Sequence, residues 1–233
     1  METRRFLIAG LAVLVLLIGA ALFWRYVWFF RDPPRQPPAQ EGILSPADGT
    51  VVYVKKVEPG ENVVVIKQGV SATVEDILRQ DVDSAKLVIG IFMSPFDVHY
   101  NRAPLAGKIT FIRRYPAVGE NHHMGAMHWR TVFNLFPHYA DSLHILENER
   151  AVTHFSGRYK DEELSYYVVQ IGARTVNGID SYYREGDHVE RGSTFGMIRI
   201  GSQVDLVISW RPGMEPLVQP GEKVVAGETI LVD

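Results

Sequence analysis

The chain contains no cysteine, which excludes disulfides, thiolate metal sites and a cysteine nucleophile. Neither sign of charge is in surplus. Against 27 Asp and Glu stand 24 Lys and Arg in 233 residues, so no electrostatic footprint for nucleic acid is present. The eight histidines show no HExxH spacing and no setting among acidic ligands, so no metal site is expected. Serine, histidine, carboxylate and arginine are left to carry any chemistry.

One long stretch lacks charge altogether. Phe6 to Trp24 reads FLIAGLAVLVLLIGAALFW. As a helix it spans about 28 Å, close to the ~30 Å hydrocarbon core of a bilayer. Trp24, Tyr26, Trp28, Phe29 and Phe30 follow it as an interfacial aromatic belt would. The run exceeds the ~7–15 residues of a signal-peptide core and no A-x-A-like site closes it. Residues 1–30 are therefore expected to be a membrane anchor, with cleavage as a signal peptide the alternative. Arg25, Arg31 and Arg35 outnumber Arg4 and Arg5, which favours a cytoplasmic C-terminal domain at the cell membrane. Residues 31–42 carry four prolines and should form an extended, semi-rigid linker.

From Ile43 onward the pattern is mostly strand. Thr50–Val57 and Asn62–Lys67 are β-branched runs separated by Glu58-Pro59-Gly60-Glu61, a turn signal. Leu87–Met93 is a continuous apolar run, and Lys108–Arg114, Glu147–Phe155 and Ser165–Ala173 are further strand candidates, with a turn over Gly157–Glu163. Helix is expected over Ala72–Gln80 and part of Gly125–Phe136. The C-terminal third repeats a unit of turn, Gly-x-x-Val, Gly and strand: once from Val176 through Gly192, again from Val218 through Val232. Such units occur in lipoyl-carrier-type sandwiches. The fold class is thus mainly β with some helix, a compact sandwich or barrel over residues 43–233 with a lipoyl-carrier-like C-terminal part.

Ser45-Pro-Ala-Asp-Gly49, Met93-Ser-Pro-Phe-Asp-Val-His-Tyr-Asn-Arg-Ala-Pro104, Glu147-Asn-Glu-Arg150, Ile171-Gly-Ala173 and the stretch from Arg191 to Leu206 (RGSTFGMIRIGSQVDL) together resemble the phosphatidylserine decarboxylases. The closest likeness is to the short type of bacteria and archaea. The resemblance implies a lyase that converts phosphatidylserine to phosphatidylethanolamine and CO2 with a covalent pyruvoyl cofactor made from its own chain. Ser202 attacks the Gly201 carbonyl, the backbone amide becomes an ester, and elimination followed by hydrolysis leaves a pyruvoyl group in place of Ser202. Glycine suits the first position because it has no Cβ to obstruct attack, and serine the second because its oxygen is both nucleophile and leaving group. The products are a large chain ending at Gly201 and a small chain of residues 202–233, held as a heterodimer by strand pairing.

Gly192-Ser193-Thr194 is a second possible cleavage pair. It is set aside because, in the short type, the cut follows a Phe-Gly-Met-Ile-like strand, here Phe195–Ile200. The resemblance also assigns Asp48 as a catalytic acid paired with histidine, and His99 as the base that activates the serine. Longer members carry a second histidine where Arg102 stands. Arg102 is thereby a candidate for binding the substrate phosphate or carboxylate. His122, His123 and His128 lie in either an exposed loop or a lid dipping into the membrane, and Trp129, Val132, Phe133 and Phe136 share one helical face, either interfacial or core. Two other functions fit parts of the sequence: a pyruvoyl decarboxylase of another serine-headed lipid, and a membrane-tethered β-sandwich adaptor without catalysis.

Overall fold

The alternating and continuous apolar runs pair into one large antiparallel sheet. The computed structural model describes residues 2–80, 82–174, 178–199 and 201–233. Val176 and Ile200, at the start of the first repeated unit and the end of the Phe195–Ile200 run, lie outside the described residues. The chain divides into two units, Met1–Pro33 and Pro34–Asp233.

The first unit is helix α1 (Glu2–Phe23) running into a π-helical turn, Trp24–Trp28. No residue of α1 is buried, and the segment is long and apolar enough to cross a membrane, with mean hydropathy 2.9.

The second unit contains, in chain order, β1 (Ile43–Leu44), β2 (Gly49–Val57), β3 (Asn62–Lys67), β4 (Val70–Thr73), α2 (Val74–Leu78), β5 (Lys86–Met93), β6 (Tyr100–Arg102), β7 (Gly107–Tyr115), α3 (Gly125–Val132), α4 (His144–Glu147), β8 (Arg150–Tyr159) and β9 (Glu162–Gly172). Then follow β10 (Ile179–Ser181), β11 (His188–Val189), β12 (Thr194–Ile198), β13 (Ser202–Ser209), β14 (Lys223–Val224) and β15 (Ile230–Val232). Eight strands form the main sheet in the order β11-β7-β8-β9-β13-β5-β2-β14, and β10-β12-β6 form a smaller one. The main sheet has an apolar core on each face. Along β5, Leu87, Ile89, Ile91 and Met93 enter one, while Val88 and Phe92 enter the other, as a period of two requires. At Gly90 a Cβ would lie 2.4 Å from the Tyr53 ring, so the glycine makes room for that ring over the sheet.

The expected strands are found, with three boundary changes. The helix expected over Ala72–Gln80 shrinks to α2, because Val70–Thr73 pairs with β3 and Thr73 caps the helix in a reciprocal box with Asp76. Glu147 ends α4, so the next strand starts only at Arg150. The Gly157–Glu163 turn contracts to Lys160-Asp161, both at positive φ (47° and 63°), and Tyr159 pairs directly with Glu162. This is a two-residue hairpin of the kind that matches strand twist.

The two Gly-x-x-Val units do not make a separate carrier-like C-terminal domain; their β11 and β14 close opposite edges of the main sheet. They are halves of an internal repeat. Val224 pairs with Gly49 and Val189 with Gly107. Val51 and Ile109 make matching bonds: Val51 N–H to Glu222 O and Gly221 N–H to Val51 O, then Ile109 N–H to Asp187 O and Gly186 N–H to Ile109 O. The copies cross-link through Arg102 N–H to Pro46 O at 2.9 Å and Leu44 N–H to Pro104 O at 3.1 Å. The copy that holds β11 runs on from β12 into β13.

The proline-rich stretch is not a free spacer over its second half. The Arg191 guanidinium donates to the carbonyls of Pro38, Gln40 and Gly42, and Pro37 lies against Gly192. Residues 35–42 form a strap on the domain.

Candidate active site

Gly201 and Ser202 stand where the chain leaves the small sheet and enters the middle of the large one. β13 is hydrogen-bonded to β9 on one side and β5 on the other, with Ser202 opposite Gly172 and Met93. Gly201 has φ +69°, the left-handed region in which a side chain is strained. Its carbonyl accepts a hydrogen bond from the Ala173 N–H at 3.1 Å. That carbonyl is the one a Ser202 nucleophile would attack, and an N–H already aimed at its oxygen stabilises the charge that develops on attack. Ser202 is wholly buried, and its Oγ lies 3.3 Å from Met93 Sδ.

Behind Met93 a polar chain holds the neighbouring elements. Asn101 Nδ2 reaches Met93 Sδ at 3.8 Å and the Pro46 carbonyl at 3.4 Å, and Gln170 Nε2 donates to Asn101 Oδ1 at 2.8 Å. His99, two residues before Asn101 on extended chain, is also fully buried, and its carbonyl accepts from Ile198 N–H. His99 Nδ1 lies 3.0 Å from the Asp97 carbonyl. A carbonyl can only accept, so in the neutral ring Nδ1 carries the hydrogen and Nε2 carries the lone pair, the tautomer a base requires.

Asp48 approaches His99 through the backbone. Its carboxylate accepts from Ala226 N–H at 2.7 Å, draws on the Val98 N–H and is ion-paired with Arg35 at 2.8 Å. Burial pushes the Asp48 carboxyl above its ordinary value, against the opposing pull of Ala226 and Arg35. Asp48 also fixes the segment that carries His99. Arg35, on the strap, also bonds Glu228 at 3.3 Å and was invisible in the sequence because it reads as linker. Replacing it with glutamine should raise the Asp48 pKa further. The acid limb of the pH–rate profile then moves to higher pH and the rate at neutrality falls roughly tenfold, the scale of one charge-assisted hydrogen bond. Arg35→Lys should restore most of the loss, and an unmoved acid limb in Arg35→Gln would refute this role.

Arg102 donates to the Gly192 carbonyl at 3.1 Å and packs its stem on Gly227. Ser193, the competing cleavage residue, sits in the turn this bond secures, its N–H given to Glu190 O. On the Phe92 side of β13 a cavity of about 160 Å³ reaches Gly201, lined by Phe92, Pro95, His123, Met124, Gly125, His128 and Ala173. The Asn148 amide, bonded to the carbonyls of Gly172 and His122, ties this wall to the end of β9. The Glu147–Arg150 and Ile171–Ala173 motifs thus meet beside the Gly201-Ser202 peptide bond.

A second buried polar cluster, three residues further along β13, has no signature in the sequence. Tyr53 OH and Gln203 Nε2 donate to Asp205 Oδ1 at 2.8 and 2.7 Å, and Gln203 Oε1 lies 2.9 Å from His144 Nε2. Burial raises Asp205 to about 6 and lowers His144 to about 4. The linkages oppose each other. Below its ordinary pKa a neutral-held His144 loses stability as pH falls, whereas Asp205 gains it as pH falls through 6. Asp205→Asn removes the compensating arm. From pH 7 to pH 5 the variant should lose about 1 kcal/mol more than the parent, a Tm roughly 2–4 °C lower at pH 5. Thermal scans of the detergent-solubilised protein test this, and parallel curves would refute it.

A buried serine behind a left-handed glycine, a histidine in basic tautomer and a carbonyl already polarised by an N–H define a chain equipped to rearrange its own backbone. Residues 22–232 match the family described as phosphatidylserine decarboxylase. A phosphatidylserine decarboxylase proenzyme of Symbiobacterium thermophilum is 33% identical over 92% of this chain and 80% of the relative. Its counterpart in Ruegeria pomeroyi is 33% identical over 100% and 93%. A protein of Methanopyrus kandleri provisionally named archaetidylserine decarboxylase proenzyme is 35% identical over 93% and 85%. The chain belongs to the phosphatidylserine decarboxylase family, and it is a decarboxylase.

Proposed function

We propose that this chain is a proenzyme that cuts itself at Gly201-Ser202, converts Ser202 into a pyruvoyl group and decarboxylates phosphatidylserine to phosphatidylethanolamine at a membrane. The observation that carries the reading is the Gly201 carbonyl, held by Ala173 N–H at 3.1 Å beside a buried serine hydroxyl. His99 Nε2 takes the Ser202 proton, Oγ bonds to the Gly201 carbonyl carbon, and the C–N bond breaks to leave an ester and a free Ser202 amine. Loss of the α-proton then expels the Gly201 carboxylate. Hydrolysis of the resulting dehydroalanine consumes one water and releases ammonia, leaving the ketone.

The site fits such a group: once Ser202 begins a chain, its carbonyl carbons lie at the end of β13, where the cavity meets Gly201. A pyruvoyl group supplies an electron sink for loss of CO2 from an amino acid. The chain's own residues do the rest. His123 and His128 face the incoming head group, Phe92 and Met124 exclude water, and His99 is the candidate proton donor to the product. Arg102 is the candidate group for a substrate phosphate or carboxylate, since a guanidinium matches both geometries. Residues 1–30 serve as the anchor, 35–42 as the strap and 43–233 as the catalytic domain, cytoplasmic by the arginine count. The two chains stay paired through β13, β14 and β15.

Intact-mass measurement tests the reading. Residues 202–233 should appear as a separate chain, lighter than its sequence by one ammonia and blocked at its N-terminus, and vesicles of phosphatidylserine should yield phosphatidylethanolamine. A single uncut chain that decarboxylates nothing refutes it. The family relatives include one provisionally named for archaetidylserine, so an ether-linked lipid with the same serine head group belongs in the same assay.

A further inference from the structure

Helix α3 divides its side chains between two environments. Met124 and Met127 are buried in the core, and His123, Met124, Gly125 and His128 line the cavity at Gly201. The opposite side is bare: Trp129 is 58% exposed, Val132 57% and Phe133 65%, and Leu135 and Phe136 continue the run at 52% and 56%. Among the described residues of 34–233, ten large apolar side chains are exposed, and five of them fall in these eight positions. Scattered singly they would need no explanation; concentrated, they mark a contact surface. Trp129 and Phe133 stack at 5.8 Å and 18°, presenting one flat face. Across the cavity, Phe96, next to the lining residue Pro95, is 64% exposed.

The occupant is narrowed by three features. The patch mixes tryptophan, phenylalanine and aliphatic groups, the chemistry of an interfacial segment in a bilayer. It is continuous with the wall of a cavity that ends at the reacting bond. The chain also carries its own apolar helix, and only five residues separate Trp28 from Pro34, a leash of at most about 20 Å. We propose that residues 129–136, with Phe96, form a second membrane contact that lies in the head-group layer and opens the Gly201 cavity directly onto lipid. The proposal rests on the lipid-decarboxylase reading for its purpose, although the contact itself can be measured without catalysis.

The absence of cysteine makes the test clean. Phe133→Cys, and as a control Asp161→Cys at the tip of the β8–β9 hairpin, are each labelled with an environment-sensitive fluorophore in the full-length protein reconstituted in phosphatidylserine-containing bilayers. The label at 133 should be quenched several-fold more by spin-labelled lipid than the label at 161. Equal quenching at both positions, or protection of position 133 that appears only as protein density rises, would overturn the proposal, the latter by pointing to a second copy of the chain. Trp129→Ser/Phe133→Ser/Phe136→Ser should still cut itself, which certifies its fold. It should lose tenfold or more activity on bilayer lipid while keeping activity on a dissolved short-chain phosphatidylserine; equal losses on both substrates would also overturn it. If the label is quenched by lipid yet the wild-type protein decarboxylates neither substrate, the membrane contact stands and the functional reading fails.

Discussion

Ser202→Ala should yield one uncut chain with no decarboxylase activity, whereas Ser193→Ala should cut itself as the parent does. The size of the first effect follows from the chemistry. Without Oγ there is neither a nucleophile for the Gly201 carbonyl nor a leaving group for the elimination that follows, so the loss is complete. Packing should barely change, because the Ser202 side chain is small and its hydroxyl's contact is a weak one to Met93 Sδ at 3.3 Å. The variant should therefore be as thermally stable as an uncut precursor, which separates lost chemistry from lost fold. A denaturing gel and intact mass decide the outcome. Cleavage persisting in Ser202→Ala and stopping in Ser193→Ala would move the site to the Gly192 turn.

The second large effect is at His99. Deleting a positioned base costs on the order of 10²–10⁴ in rate, so His99→Ala should turn cleavage from a process complete on isolation into one followed over days. Asp48→Asn should be milder, roughly tenfold, because asparagine keeps an oxygen for the Ala226 and Val98 N–H groups and loses the charge paired with Arg35. Time courses of freshly synthesised precursor measure both. Equal and total loss in the two variants would instead indicate a directly coupled pair, and wild-type cleavage in His99→Ala would remove His99 from the reaction.

The strands of the main sheet were legible because β-branched and apolar runs bounded by Gly and Pro have few other solutions. The family was legible through motifs in order, and the elements bearing Gly201-Ser202 and His99 are neighbours in the fold. The buried polar cluster was not. Gln203 and Asp205 alternate with Val204 and Leu206, a pattern that reads as one solvated face, yet β13 has a core on each side and all four are buried. Arg35 was hidden for a different reason: proline-rich sequence signals extended backbone but says nothing of what that backbone lies against. The internal repeat was half visible. The Gly-x-x-Val units stood out, whereas Pro46-x-x-Gly49 and Pro104-x-x-Gly107 reveal their equivalence only when their carbonyls are seen to cross.

Cleavage at Gly201-Ser202, as proposed, would place the cut in the middle of the sheet, with a consequence for quality control. The donor N–H from Ala173 arrives at the end of β9, the histidine segment from beyond β5 and the scissile carbonyl from the far side of β12, so no local fragment contains the machinery. A misfolded or truncated copy stays chemically silent, and a correctly assembled one marks itself irreversibly. The severed ends record that folding has finished, and the catalyst comes into being only on molecules that have passed that inspection.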